Sequence, residues 1–324
     1  MNKQPLVSFI IIAYNQEKYI EEAIRGAFAQ TYEPLEIILS DDKSPDKTFE
    51  IMQRLTEEYD GPHKVVLNRN EPNLGIGGHI NRVMELSQGE FIVVNAGDDI
   101  SLAERTTEMV DVWLKSGRKA KSICSDALRM DEEGEIYGLY DFSKSYVNIC
   151  DIERSLKNDG FVLGATHGWD RQIFDKFGPL GPDVIYEDRV LPLRSLLLGT
   201  VEYIDKPLIK YRDGGVSGAD EPYSGYDYLY GKRINKINKN VIFYNQKIKD
   251  LTSFKAEKCL INIAENKLAY FKFVLALSGC KSINKKVKIL FEFKFYTNKK
   301  AVIEFIKYLF SNPYMKYIDK KISK

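Results

Sequence analysis

VSFIIIAYNQEKYIEEAIRGAFAQ, residues 7–30, changes its period part-way along. Residues 7–12 are a continuous β-branched and aromatic run, the pattern of a strand covered on both faces. Residues 17–30 then place Ile20, Ala23, Ile24, Ala27 and Phe28 at helical spacing. LEIILS (35–40), HKVVLN (63–68), EFIVV (90–94) and AKSICSDAL (120–128) read as further strands. Helices are expected between them: from Ser44 as cap and Pro45 as first helical residue to about Tyr59, then over 75–88 and 102–116. Strands alternating with helices of this length specify an α/β fold with a mostly parallel central sheet and right-handed crossovers.

Ligands of such sheets bind outside the carboxyl ends of the strands. Tyr14, Asp41, Asp42, Asn68, Asn95, Asp98 and Asp99 all fall at or just past those ends. The stretch VVNAGDDI (93–100) sets two adjacent carboxylates on one turn, with Gly97 making room for them. Like charges side by side repel and call for a cation. Such a pair suits a hard divalent ion, Mg²⁺ or Mn²⁺, that bridges to phosphate oxygens. Tyr14 is placed to lay its ring against a base, and Asp42 to accept hydrogen bonds from a base imide or a ribose. The competing uses are packing for Tyr14 and helix capping for Asp42, although Ser44 and Asp46 are better placed to cap.

The chain lacks GxxxxGK[ST], GxGxxG after the first strand and HExxH, which removes the main support for a P-loop ATPase, a Rossmann oxidoreductase or a zincin. Only three histidines (His63, His79, His167) are present, too few for a histidine-rich zinc site. Four cysteines without CxxC spacing read as reduced residues of a cytosolic protein. The first sixteen residues show no small-residue cleavage site, and no stretch reaches 18 uncharged apolar residues, so neither a signal peptide nor a single-pass anchor is expected.

Net charge is +1, yet the charge is divided unevenly along the 324 residues. Residues 225–324 hold 22 Lys and Arg against 7 Asp and Glu, and residues 1–224 hold 25 against 39. That asymmetry signals a partner of the C-terminal region. Residues 226–250, 254–275 and 299–310 are helical candidates there. Ahead of them, Glu187 and Asp188 precede a helix over 189–198, and residues 201–212 read as a strand turning at Pro207. Tyr137, Tyr140, Tyr146 and Tyr186 suit either sugar stacking or plain packing.

Four segments carry a resemblance: 7–32, LEIILSDDKSPDKT, NEPNLGIGGHINRVMELSQGEFIVVNAGDD and YEDRVLPLRSLLLG. In that order they resemble the family 2 glycosyltransferases, densely over 5–115, thinly over 160–217 and not in the tail. The resemblance implies a GT-A fold over 1–224, with a nucleotide-binding half (about 1–130) and an acceptor-binding half (about 131–224), followed by a basic helical region (225–324). It further implies that Tyr14 and Asp42 touch the uracil of a UDP-sugar, with Asp41 beside them. Asp98 and Asp99 are then the DxD-type pair with Asp99 on Mn²⁺ or Mg²⁺, Asp188 is the catalytic base, and Arg212 lies near the diphosphate.

Three positions depart from the family pattern. Asn95 replaces an Asp and leaves a ribose contact without charge, Lys43 stands where Gly is common, and GGHIN (77–81) replaces small residues and an arginine. The expected reaction is inverting transfer from a nucleotide-sugar to a hydroxyl of a saccharide or lipid-linked saccharide, as in surface polysaccharide assembly. A nucleotide-sugar hydrolase and a non-catalytic binder are the alternatives. The basic tail is expected to contact the anionic inner face of a membrane, making the protein cytoplasmic and peripheral; nucleic acid is not an expected partner.

Overall fold

The computed structural model describes residues 4–214, 226–280, 282–293, 301–303 and 305–306, with the backbone alone for 226–231. Lys281, Lys294, Phe295, Tyr296, Lys299 and Lys300 of the basic tail, and most of the helix expected over 299–310, lie outside the described residues. The chain divides into two compact units: Met1–Ala219 with Ser253–Ala256, and Asp220–Thr252 with Glu257–Lys324.

The first unit begins as the pattern requires: β1 (Val7–Ala13), α1 (Ile20–Phe28), β2 (Leu35–Asp41), α2 (Thr48–Glu58), β3 (Lys64–Arg69), α3 (Gly75–Leu86) and β4 (Phe91–Ala96). A two-residue β5 (Ile100–Ser101), α4 (Arg105–Lys115), β6 (Ala120–Met130) and β7 (Ile136–Tyr140) follow. Then come α5 (Ser143–Tyr146), α6 (Ile152–Asn158), β8 (Gly168–Asp170), α7 (Gln172–Phe177), α8 (Glu187–Leu198) and β9 (Thr200–Arg212). The sheet runs β3-β2-β1-β4-β8-β6-β9-β5, with β7 added to β6. Its parallel part is β3-β2-β1-β4 and the β6–β9 pair, whereas β8, β7 and β5 pair antiparallel. Only the first part is built by βαβ crossovers, so only there does the sequence show strand-helix alternation.

Val7, Phe9, Ile11 and Ala13 pack into one apolar cluster with Ile20, Ile24, Met52, Met109 and Trp113 of α1, α2 and α4. Each large side chain taken fully out of water in this way contributes roughly 1.5–3 kcal/mol. The other face of β1 looks toward α3, and Ile12 there lines a cavity with Ile76 and Ile80. The cores on the two faces leave the ligand space on the α3 side.

Two local expectations change. α2 starts at Thr48, because Asp46 accepts both the amide (3.1 Å) and the hydroxyl (2.6 Å) of Thr48. Ser44 does not cap it; its Oγ accepts the Asn15 amide at 2.9 Å and ties the loop after β1 to the loop after β2. β9 does not turn at Pro207 but runs on for 13 residues, with its register against β6 shifting around Asp126. A proline lacks one donor, and an irregular pairing there absorbs the loss.

In the second unit α9 (Tyr226–Phe254), α10 (Lys258–Ser278) and α11 (Ile283–Glu292) are described. Ile237, Phe273, Val274, Leu277, Leu290, Ala301 and Phe305 make its core. The sequence reading did not separate α11; Ser282 caps it, its Oγ accepting the Lys285 amide at 3.5 Å.

Candidate active site

β1, β2 and β4 end level with one another, Ala13 beside Asp41 and Ile12 beside Ala96. The chain leaves each strand on the same rim, which brings Tyr14, Asp42 and Asp98 around one cavity of about 390 Å³. Tyr14 is 44% exposed there. Asp42 is buried, and its carboxylate accepts from Asn70 Nδ2 (2.8 Å), Leu74 N (2.9 Å) and Gly75 N (3.0 Å). Asp42 therefore does cap a helix, α3, while still facing the cavity; a carboxylate has about four acceptor positions, so one is left for a ligand. His79 lines the same space and sits 2.7 Å from Ser40 Oγ. Burial lowers its pKa to about 4, which makes it neutral near pH 7.

Asp41 does not line this cavity. It is fully buried, accepts the Ser44 amide at 2.9 Å and lies 3.5 Å from Arg69 Nε. Its work is to hold the loop that presents Asp42. Lys43 follows at φ +63°, the left-handed region, and pairs with exposed Glu71 at 2.8 Å. The glycine common at this position fits because only glycine adopts that conformation freely; lysine bears a cost of roughly 1–2 kcal/mol.

The acid turn is built into the rim just as tightly. A Cβ on Gly97 would lie 2.4 Å from Gln16 Oε1 and 2.9 Å from the Ala13 Cβ, so only glycine lets this loop pass β1. β5 pairs with β9, Ser101 beside Ile209, and brings Arg212 next to the acids. The Arg212 amide donates to Asp99 Oδ1 at 2.9 Å. Its guanidinium donates to the carbonyls of Asp98, Asp131 and Glu132 and to Glu22 Oε2 (2.7 Å), and packs over the Tyr19 ring. Arg212 thus locks the loops together rather than extending a free guanidinium toward a diphosphate.

Asn95 is likewise internal. Its Nδ2 donates to the Ala96 and Asp99 carbonyls, and its Oδ1 accepts from Ser101 Oγ and Arg105 Nη1. With every hydrogen-bonding position spent and no exposure, it shapes the turn and is not placed for the ribose contact expected from sequence. Arg105, which the sequence does not single out, is a second buried cation of this region beside Arg212. Burial lowers its pKa to about 9, still charged at neutral pH, and its field opposes the rise of Asp99. Burial, then the neighbouring Asp98, pushes Asp99 well above the usual carboxylate range.

A second cavity, of about 400 Å³, continues from the first; both are lined by Ile12, Ile76, Ala96 and Asp98. Asp99, Tyr211 and Arg212 line it together with Glu187 and Asp188. Glu187 and Asp188 are both in the first turn of α8, where the helix dipole favours negative charge. The Val162 amide donates to the Asp188 carbonyl at 3.0 Å and fixes that turn against the 162–166 loop. Of the four tyrosines singled out from sequence, Tyr186 lines this cavity. Tyr146 instead donates to the Val201 carbonyl, and Tyr137 is exposed on β7.

Residues 8–133 match the family model described as Glycosyl transferase family 2. The chain carries a family 2 glycosyltransferase domain. Putative glycosyltransferase EpsE of Bacillus subtilis (strain 168) is 31% identical over 134 residues, 41% of this chain and 47% of EpsE. An uncharacterized glycosyltransferase of Haemophilus influenzae is 26% identical over 260 residues, 76% of this chain and 77% of the relative. The mannosyltransferase PcManGT from Pyrobaculum calidifontis, solved with GDP-Man and Mn²⁺, superposes with a TM-score of 0.55 at 16% identity, over 96% of this chain and 89% of PcManGT. That likeness concerns the fold, which is the GT-A type. The match to EpsE spans about half of EpsE's length.

At the head of α8, Glu187 offers a pH signature. Burial first, and then Asp188, raises its pKa from 4.5 to about 8. Between those values the folded chain holds a proton that the unfolded chain has lost, so the contribution of Glu187 to stability is greatest below about pH 4.5 and is lost as pH rises through about 8. Thermal unfolding of Glu187→Gln should show a flatter pH profile over this window than the wild type. Parallel profiles would mean that Glu187 is not protonated in the folded chain.

Proposed function

We propose that this chain transfers a sugar from a nucleotide diphosphate sugar, a UDP-sugar by the family resemblance, to a hydroxyl of a saccharide or lipid-linked saccharide. One observation carries the reading: two cavities share Asp98, one lined by Tyr14 and Asp42 and the other lined by Asp188. A nucleotide in the first puts its diphosphate at the acid turn and its sugar between Asp98 and Asp188. Isothermal titration with UDP and GDP tests it; absence of binding by either would remove the reading. A hydrolase needs water in the acceptor place, and a non-catalytic binder needs no base; release of the nucleotide that depends on an added acceptor separates transfer from both.

Asp188 takes the proton of the acceptor hydroxyl as that oxygen attacks the anomeric carbon. The bond from that carbon to the β-phosphate oxygen breaks, the nucleoside diphosphate leaves on the opposite face, and the configuration inverts. Tyr14 stacks on the base, and Asp42 accepts from its imide with the acceptor position that the α3 cap leaves open.

The acid turn fits a divalent cation. Asp99 Oδ1 accepts one amide hydrogen, while its Oδ2 takes no hydrogen bond among the described residues. An ion of this kind can be held by one or two carboxylates and completed by phosphate oxygens and water. Asp99, with Asp98 beside it, would hold Mn²⁺ or Mg²⁺, whose charge would offset that developing on the leaving diphosphate. Asp99→Asn keeps an acceptor for the Arg212 amide. It should bind nucleotide with no strengthening by Mn²⁺ in calorimetry, and a full Mn²⁺ effect in this variant would remove Asp99 as the ligand.

The second unit supports a membrane-surface role. Ile283, Val287 and Phe291 are exposed at four-residue spacing along α11, which also carries exposed Lys285 and Lys288 on its other faces. No helix among the described residues is long and apolar enough to cross a membrane. Apolar anchors with near-surface lysines, each worth roughly 1 kcal/mol, suit an anionic bilayer. Lys285→Glu/Lys288→Glu in the full chain should cut co-sedimentation with anionic vesicles at least tenfold, and salt should do the same. Binding that ignores both charge and salt would exclude this surface.

A further inference from the structure

The cavity between the acid turn and Asp188 is unevenly walled. Its charged groups stand on the Asp98–Asp99 turn, at the head of α8 and at the end of β9. α3 and the segment before α8 give the cavity three isoleucines, Ile76 and Ile80, one helical turn apart, and Ile185, with Tyr186 following. Gly77, between the two helical isoleucines, sets this wall. A Cβ there would lie 2.5 Å from the Val184 carbonyl oxygen and 2.9 Å from that of Gly181. Backbone contact this close clamps the 181–184 loop onto α3 and carries Ile185 to the cavity beside Ile76 and Ile80. Asn81 holds the same junction, exchanging hydrogen bonds with the backbone of Leu180 at 2.8 and 2.9 Å.

Ile76 also lines the nucleotide cavity, so the wall begins where the diphosphate ends and borders the position of the transferred sugar. An ordinary hexose carries hydroxyls on every edge. One facing three isoleucine side chains loses its water and gains no partner there. A methyl group on that edge loses nothing and fills the space.

Resting on the donor reading above, we infer that Ile76, Ile80 and Ile185 select a donor sugar that presents a methyl group to this wall. The chemistry has two sources, the C6 methyl of a 6-deoxyhexose and the acetyl methyl of an N-acetylhexosamine. An apolar pocket discriminates against an added hydroxyl by about 10²-fold at most, so the expected preference is roughly 10- to 100-fold.

Calorimetry on the full chain with Mn²⁺ tests this. UDP and GDP are titrated first, and the one that binds then carries glucose, 6-deoxyglucose or N-acetylglucosamine. Tighter binding of the 6-deoxy or the N-acetyl sugar by tenfold or more over glucose supports the inference and identifies the source of the methyl. Equal affinity for all three overturns it while leaving the donor reading intact; binding of neither nucleotide overturns both. Ile76 is only partly buried, so Ile76→Thr should fold, and it should reduce the preference at least threefold. A preference unchanged in Ile76→Thr and in Ile80→Asn also overturns the role given to the wall.

Discussion

Asp188→Asn should lower the rate of sugar transfer by roughly 10²- to 10⁴-fold, the usual cost of a lost general base, while leaving donor affinity within about threefold. The substitution keeps the size of the side chain and its place in the first turn of α8, beside Glu187. It removes only the ability to take a proton. In the proposed reading the donor is held by Tyr14 and Asp42, which line the neighbouring cavity, and by the acid turn, so a calorimetric titration should be nearly unchanged. Transfer that stays within about threefold of wild type would show that Asp188 is not the base. Loss of donor binding in parallel with transfer would mean that it serves the donor instead.

Arg105→Met should destabilise the chain by about 3–5 kcal/mol, the scale of removing one partner from a buried ionic cluster. The guanidinium donates to the Val94 carbonyl (2.8 Å), Asn95 Oδ1 (3.2 Å), Ser101 Oγ (2.8 Å) and the His167 carbonyl (3.3 Å). It therefore joins β4, β5, α4 and the residue before β8 behind the acid turn. Methionine fills much of the volume but leaves those acceptors without their donor and Asp99 with one fewer positive neighbour. Arg105→Lys should recover little, because a single ammonium cannot span acceptors that the planar fork reaches together. Urea unfolding followed by circular dichroism measures both variants; a loss under about 1 kcal/mol for Arg105→Met would show that the turn is held by its other contacts.

Arg105 also marks where reading the chain stops. At the start of α4 it has the look of a solvated arginine, and nothing local reveals that β8, some sixty residues later, closes over it. The same holds for Asn95. Its position after an apolar strand announces a rim residue, but the pairing of β5 with β9 turns the Asp98–Asp99 loop inward and spends all of its hydrogen bonds. Asp42 was legible as a rim carboxylate, yet its cap belongs to α3, thirty residues on, and not to the helix that follows it.

What the sequence determined by itself is the alternating strands and helices that make the parallel half of the sheet, and the set of polar residues at the carboxyl ends of those strands. Those follow from hydrophobic period and strand polarity, which are local properties of the chain. The tertiary structure alone decided which of those residues face a cavity and which brace it. It also decided the antiparallel placing of β8 and β5, the isoleucine wall, and the use of Arg212 as a lock. Most of these depend on pairings between segments tens to a hundred residues apart, where neither period nor spacing carries information and only packing does.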